Sequence, residues 1–239
     1  MKRLLKRMSS ARIIALGFAA VIFAGSGLLM LPCSVRDGVS LKYIDALYTS
    51  ASAVCVTGLV TVDIGDTFTA FGQFVVAALI QIGGLGVASM GAGVILAVGK
   101  RINLKGRRVL RDAMNLDSGK GIVKFIKSVF LTTAAFELVG AALSFIVFVR
   151  DYPPLKALGI SLFHSVAAFN NSGFDILGNF QSLSAYKEDV FLNLVTCLLI
   201  FFGGIGFLVI REIVEKRFRW RRFSMHTKVV LTMSIVLTV

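Results

Sequence analysis

Ser52–Thr61 reads SAVCVTGLVT and lies within the longer run YIDALYTSASAVCVTGLVTVDIGDTF, Tyr43–Phe68. Tyr43–Val62 is apolar enough for a bilayer, but small and hydroxylated residues are mixed through it, and a Thr57-Gly58 pair that breaks regular structure sits in its middle. A spanning helix needs about 20 predominantly apolar residues. The alternatives are that this segment crosses or that it enters and turns back, and the answer comes from the charges on either side.

The chain has 239 residues, is 56% hydrophobic and has a mean hydropathy of +0.82, the composition of an integral membrane protein. Five Lys and Arg fall in residues 1–12, nine in 100–127 and seven in 211–228, together 21 of the 26. A net charge of +13 would suggest nucleic acid in a soluble protein. Here the cations form short blocks without interleaved aromatics, separated by apolar spans, so nucleic acid is excluded as a partner and the lipid bilayer takes its place. Cys33, Cys55 and Cys197 show neither a disulfide framework nor metal-ligand spacing. The basic start is compatible with a secretory leader. Ile13–Leu31 is nevertheless long for a leader, no A-x-A site follows it, and we read it as a retained transmembrane helix.

Three apolar segments separate the first two basic blocks: Ile13–Leu31, 43–62 and Phe71–Val98. Three more separate the second from the third: Ile122–Val149, Leu155–Phe174 and Val190–Ile210. The positive-inside rule places all three blocks on the cytoplasmic side, so each interval holds an even number of crossings. One segment of each trio must re-enter. The middle ones are the weakest helices, and non-helical backbone at membrane depth is tolerated where protein or a watery cavity surrounds it. On the outer side five cations oppose eight carboxylates, among them Asp63, Asp66 and Asp175, and this predicts a mildly acidic vestibule that concentrates cations.

The two trios are copies. YTSASAVCVTGLV lies over FHSVAAFNNSGFD with Ser50 on Ser165 and Gly58 on Gly173, and QIGGLG (Gln81–Gly86) answers FFGGIG (Phe201–Gly206) after a five-residue insertion. Both copies run in the same direction, unlike the inverted repeats of many secondary transporters. Each loop reads as a short descending helix, Lys42–Val54 or Lys156–Phe169, followed by Cys55–Leu59 or Asn170–Phe174. In the second halves a glycine lets neighbouring carbonyls share one side. Inward carbonyls can replace the hydration shell of an alkali cation, and the helix C-terminus adds partial negative charge. Candidate ion-binding residues are therefore Cys55, Val56, Thr57 and Gly58 with Asn170, Asn171, Ser172 and Gly173, holding the cation through backbone carbonyls.

The motifs SAVCVTGLVTVDIGDTFTAFGQ, LIQIGGLG, GKRINLKGRRVLRDAMN and FHSVAAFNNSGF closely resemble the Ktr/Trk/HKT superfamily of potassium transporters, nearest to the membrane subunit of bacterial Ktr and Trk systems. The resemblance covers essentially the whole chain. It implies four membrane–pore–membrane units around one pore with one filter glycine each, here Gly58 and Gly173. It also implies K⁺ as the transported ion, compatible with Na⁺ as coupling ion. The implied partners are a second membrane subunit in a homodimer and a cytosolic nucleotide-binding regulatory ring, and the implied location is the cell membrane with a cytoplasmic N-terminus.

The expected fold is thus all-α and potassium-channel-like, with parallel membrane–pore-loop–membrane repeats. Residues 1–114 form one unit, 115–226 a second, and 227–239 the start of a third, truncated one. The function expected is K⁺ uptake through a carbonyl-lined pore. The alternative is a non-conducting half-subunit that needs a partner to complete four loops.

The remaining features read as follows. QIGGLGVASMGAG does not match a nucleotide-binding fingerprint, and its glycines Gly83, Gly84, Gly86, Gly91 and Gly93 read as close helix packing. Asn170-Asn171-Ser172 is formally a glycosylation sequon but falls in the expected filter. Glu137, a carboxylate in an apolar run, is either functional, or paired with a neighbouring helix or placed near the membrane interface. His164 reads as a packed, hydrogen-bonded histidine, and no nucleophile–base pair or cofactor site suggests an enzyme.

Overall fold

A computed structural model describes residues 9–97, 102, 104–114, 121–217 and 219–238. Lys2, Arg3, Lys6 and Arg7 of the first basic block, and Lys100, Arg101 and Lys120 of the second, lie outside the described residues, as do the expected boundary at Asn115 and the terminal Val239. Regular structure among the described residues is helical, with one isolated bridge between Val35 and Phe68.

The first unit opens with α1 (Ser10–Leu29), whose Ser9 side chain accepts from Arg12 N. Its 20 residues reach about 30 Å, enough for the hydrocarbon core. Next come α2 (Tyr43–Cys55), the short α3 (Ile64–Thr67), α4 (Ala70–Leu85), α5 (Val87–Ala97) and α6 (Leu104–Ala113). The second unit holds α7 (Ile122–Phe148), α8 (Pro154–Phe169), α9 (Val190–Gly204) and α10 (Phe207–Glu215), and α11 (Met225–Thr238) follows. Among the described residues only α1 and α7 are single helices long and apolar enough to span, with mean hydropathies of 2.0 and 1.9.

The middle segment of each unit re-enters, as the charge parity requires. α2 has 13 residues, about 20 Å, too short to cross. The chain leaving its loop returns to the end from which it departed. Arg36 N donates to Thr67 O at 3.0 Å, Thr69 N to Ser34 O at 2.9 Å, and Arg36 Nε to Phe68 O at 3.2 Å. The exit of α1 is thus stitched to the entry of α4. The second unit closes the same way with different chemistry: Tyr186 Oη donates to Asp151 Oδ2 at 2.9 Å, and Arg150 pairs with Asp189 at 3.5 Å.

The third segment of each unit departs from the straight span expected for Phe71–Val98 and Val190–Ile210. α4 and α5 meet at 102°, and α9 and α10 at 96°. The elbows are Gly86 (φ 81°, ψ 136°) and Gly206 (φ 84°, ψ 148°), conformations open in practice only to glycine. Gly86 is therefore a hinge and not part of a packing stripe. Gly91 does not pack either, since a Cβ there would meet nothing within 4 Å. Gly83, Gly84 and Gly93 do face neighbouring atoms closely.

The described parts of the basic blocks gather at one end. Ser10 Oγ, at the start of α1, donates to Asp112 Oδ2 on α6 at 2.6 Å. That bond, with Arg111 beside it, holds the Asp112 carboxyl below its ordinary range. Arg211 on α10 lies 5.6 Å from the ring centre of Phe125 at the start of α7. A core of Leu29, Val54, Leu79 and Ile80 from the first unit continues through Phe163 and Phe174 of the second, so the pore helices are packed as one body.

Candidate functional site

Both pore helices end in the same motif. In α2, Val56 N donates to Ala53 O at 3.3 Å and Thr57 N to Ser52 O at 3.0 Å. In α8, Asn171 N donates to Ala168 O at 3.0 Å and Ser172 N to Ala167 O at 2.9 Å. These paired bonds satisfy the last helical carbonyls and require a left-handed residue just past the helix. Val56 (φ 55°) and Asn171 (φ 57°) take that role. Asn tolerates it, whereas a β-branched Val there is strained by about 1–3 kcal/mol. Cys55 is the last residue of α2 and Asn170 caps α8, so each extended segment begins one residue later than expected.

Two residues on, the backbone turns left-handed again at Gly58 (φ 71°) and Gly173 (φ 73°). In an ordinary extended chain successive carbonyls alternate sides, and left-handed residues at alternate positions permit them to share one. The intervening hydroxyls are engaged at the helix ends. Thr57 Oγ1 lies 2.9 Å from Ser52 Oγ, and Ser172 Oγ donates to Ala167 O at 3.2 Å. The loops also touch. A Cβ on Gly58 would overlap the Ser172 carbonyl oxygen and stand 3.2 Å from Gly173 Cα, while one on Gly173 would lie 3.5 Å from Gly58 Cα.

The scaffold behind the loops repeats as well. Ser50 Oγ donates to Ile22 O at 2.8 Å and Ser165 Oγ to Glu137 O at 2.7 Å, pinning each pore helix to the first helix of its unit. Gly25 and Gly140 make room for those serines, and Gly83 and Gly203 let α4 and α9 press on the Val54 and Phe169 carbonyls. Two loops of equal geometry, each beyond a helix C-terminus, are an arrangement that could hold a cation of low charge density.

Residues 5–237 match the family model for TrkH, described as cation transport protein. The chain belongs to the TrkH cation transport family. It is 41% identical over 231 residues to Ktr system potassium uptake protein B of Bacillus subtilis, covering 97% of this chain and 51% of that protein. It is 37% identical over 238 residues to potassium/sodium uptake protein NtpJ of Enterococcus hirae, covering 100% of this chain and 52% of that protein. Ktr system potassium uptake protein D of B. subtilis is 36% identical over 231 residues, covering 95% and 51%. The chain spans about half the length of the curated relatives it matches. The family is one of membrane transporters, not of enzymes.

Within this TrkH chain several polar residues do other work than expected. Asp63 and Asp66 are not free vestibule charges. Asp63, only 8% exposed, accepts from Asp66 N at 2.9 Å and from Phe180 N at 2.7 Å, and Asp66 Oδ2 accepts from Asn179 N at 2.7 Å. They clamp the outer loop of the second unit onto the first. Asp175, just past the second loop, is the carboxylate beside the candidate site, and burial, with Asp63 nearby, raises its pKa. His164 is packed as expected, with Nε2 3.0 Å from Thr196 Oγ1 and its ring edge-on to Phe148.

The two asparagines point away from the loop. Asn171 Nδ2 donates to Phe169 O and to Ile200 O of α9, each at 3.3 Å, so an Asp there would set a carboxylate against two carbonyls. Asn170 Nδ2 donates to Gln81 Oε1 on α4, to Glu137 Oε1 on α7 and to Val166 O. Gln81 was not singled out from the sequence. Its signal was its place opposite Phe201 in the repeat, a polar residue where the other copy is aromatic. Beneath the loops a cavity of about 580 Å³ lies between the two elbows, lined by Gly83–Ser89, Ile205–Val209 and the N-terminal half of α1.

Proposed function

We propose that this chain supplies two of the four pore loops of a K⁺ uptake protein, with the ion held by backbone carbonyls around Val56–Gly58 and Asn171–Gly173. The observation that carries the reading is the matched left-handed pair in each loop, 55° and 71° against 57° and 73°, brought into backbone contact. Relatives named for potassium uptake and for potassium/sodium uptake support K⁺ as the ion and are compatible with Na⁺ coupling. The membrane potential, about 2.3 kcal/mol per charge per 100 mV, would drive entry.

The units on this reading are residues 1–114 and 115–226, with 227–239 opening a third. The protein sits in the cell membrane with its N-terminus in the cytoplasm, because the Ser10 end carries the cations. Its partners are a second copy, forming a homodimer, and a cytosolic nucleotide-binding ring. Supporting the ring are the exposed Arg107 and Arg108 of α6 and Arg217, Arg219, Arg221 and Arg222 on that face, together with relatives named as components of a system.

The test is Rb⁺ or K⁺ uptake by the complete reading frame in K⁺-depleted cells against rising Na⁺. Gly58→Ser should weaken apparent K⁺ affinity about thirtyfold or more, equivalent to about 2 kcal/mol or more, and lower K⁺-over-Na⁺ preference at unchanged membrane abundance. Normal affinity and selectivity at normal abundance refutes the assignment.

A further inference from the structure

We infer that Glu137 is a positioning residue for the second pore loop, holding it in register through Asn170 and Gln81 and thereby setting cation selectivity. The inference rests on the pore reading above.

Asn170 is the last residue before the left-handed Asn171, and its side-chain nitrogen joins three elements. It lies 2.9 Å from Gln81 Oε1 on α4, 3.2 Å from Glu137 Oε1 on α7 and 2.9 Å from Val166 O on α8. Gln81 belongs to the first unit and Asn170 to the second, so the bridge crosses the seam between them. Gly84 is shaped to admit it, because a Cβ there would overlap Asn170 Oδ1. One turn of α7 holds α8 twice, by this side chain and by the bond from Ser165 Oγ to the Glu137 carbonyl at 2.7 Å.

The repeat contains its own control. Ile22 takes the place of Glu137, as the equivalent bond from Ser50 Oγ to Ile22 O demonstrates. Cys55 takes the place of Asn170 and Phe201 that of Gln81. Packing at this position therefore needs no charge, since an aliphatic side chain fills it in the first unit. A carboxylate within an apolar span is expensive and marks a task beyond packing. The amide nitrogen has two hydrogens for three acceptors, so Gln81, Glu137 and the Val166 carbonyl share them from three helices. That fixes the plane of the Asn170 side chain and hence where the backbone enters Asn171. Carbonyl filters discriminate by the number, field and spacing of their oxygens.

The test measures Rb⁺ uptake against Na⁺ in K⁺-depleted cells, using the complete reading frame and normalising to membrane abundance. Glu137→Ile, the residue of the first unit, should lower K⁺-over-Na⁺ preference about tenfold, equivalent to about 1.4 kcal/mol. Glu137→Gln, which keeps an acceptor for Asn170, should recover most of that loss. Asn170→Ala should lower selectivity similarly, and the double variant Glu137→Ile/Asn170→Ala should be no worse than the poorer single one, because both cut one bridge. Gln81→Leu severs the bridge from the other unit and carries the test if Glu137→Ile does not reach the membrane. Additive losses, no recovery with Gln, or lower abundance at unchanged selectivity overturns the inference. Gly58→Ser runs alongside. If it too leaves selectivity intact, the pore reading falls and takes this one with it; if it alone acts, only the tether is wrong.

Discussion

Gly58 and Gly173 occupy equivalent places with nearly equal torsions, φ 71° and 73°, yet alanine should not affect them equally. At both positions a Cβ in the left-handed region costs about 1–2 kcal/mol. At Gly173 little else is added, for the new methyl would stand 3.5 Å from Gly58 Cα, an ordinary contact. At Gly58 the methyl would overlap the Ser172 carbonyl oxygen, a backbone atom that cannot rotate away as a side chain would. Restoring contact distance displaces that carbonyl by about 1 Å, and such overpacking adds about 1–3 kcal/mol. Gly58→Ala thus carries about 2–5 kcal/mol of strain against about 1–2 for Gly173→Ala. With about 1.4 kcal/mol per tenfold change, half-saturating K⁺ should rise by up to about thirtyfold for Gly173→Ala and by about thirtyfold or more for Gly58→Ala. The assay is initial Rb⁺ uptake over a K⁺ series at fixed membrane abundance. Equal effects, or a larger one at Gly173, would show that the loops do not abut as described.

Two further outcomes follow from the scaffold. Gly206→Ala places a side chain at φ 84° and ψ 148°, where space is open but the backbone conformation is not; thermal stability in detergent should fall by about 1–3 kcal/mol, whereas Gly91→Ala, in open space on a helix, should leave it level or raise it slightly. Asp63→Ala removes both a helix cap and the grip on Phe180 N, and a melting curve should report a loss of about 2–4 kcal/mol; a loss below about 0.5 kcal/mol would mean the clamp contributes nothing.

Re-entry was legible because it rests on long-range constraints that a sequence carries openly. Charge blocks fix which ends share a side, and parity then forces one segment of each trio to return. The matched spacing of Ser50–Gly58 and Ser165–Gly173 likewise survives in the letters. What escaped was backbone conformation. QIGGLG reads equally well as a packing surface and as an elbow, since glycine serves both, and only the torsions separate Gly86 from Gly83. Val56 gave no sign of a left-handed residue because β-branched side chains avoid that region, and the paired bonds at the end of α2 override the preference. Asp63 and Asp66 counted as free charges because sequence gives sign but not partners, and their partners lie more than a hundred residues away.

Comparing the two copies position by position separates what the loop needs from what the seam between units needs. The serine pins, the glycines that admit them, the glycines beneath the helix ends and the left-handed pairs agree in both units, and all of these set backbone positions. Glu137 against Ile22, Asn170 against Cys55 and Gln81 against Phe201 differ, and in the second unit's loop and the first unit's α4 these polar members meet across the seam. A cation on a common axis would impose the same backbone on every loop, because it reads oxygens and not side chains. A seam joins two different neighbours and imposes no such equality. Divergence of side chains at the seam, over pore-loop torsions held alike in both copies, is therefore the pattern a shared axial ion site would leave, and on the proposed reading the polar bridge of the second unit aligns the loops and does not touch the ion.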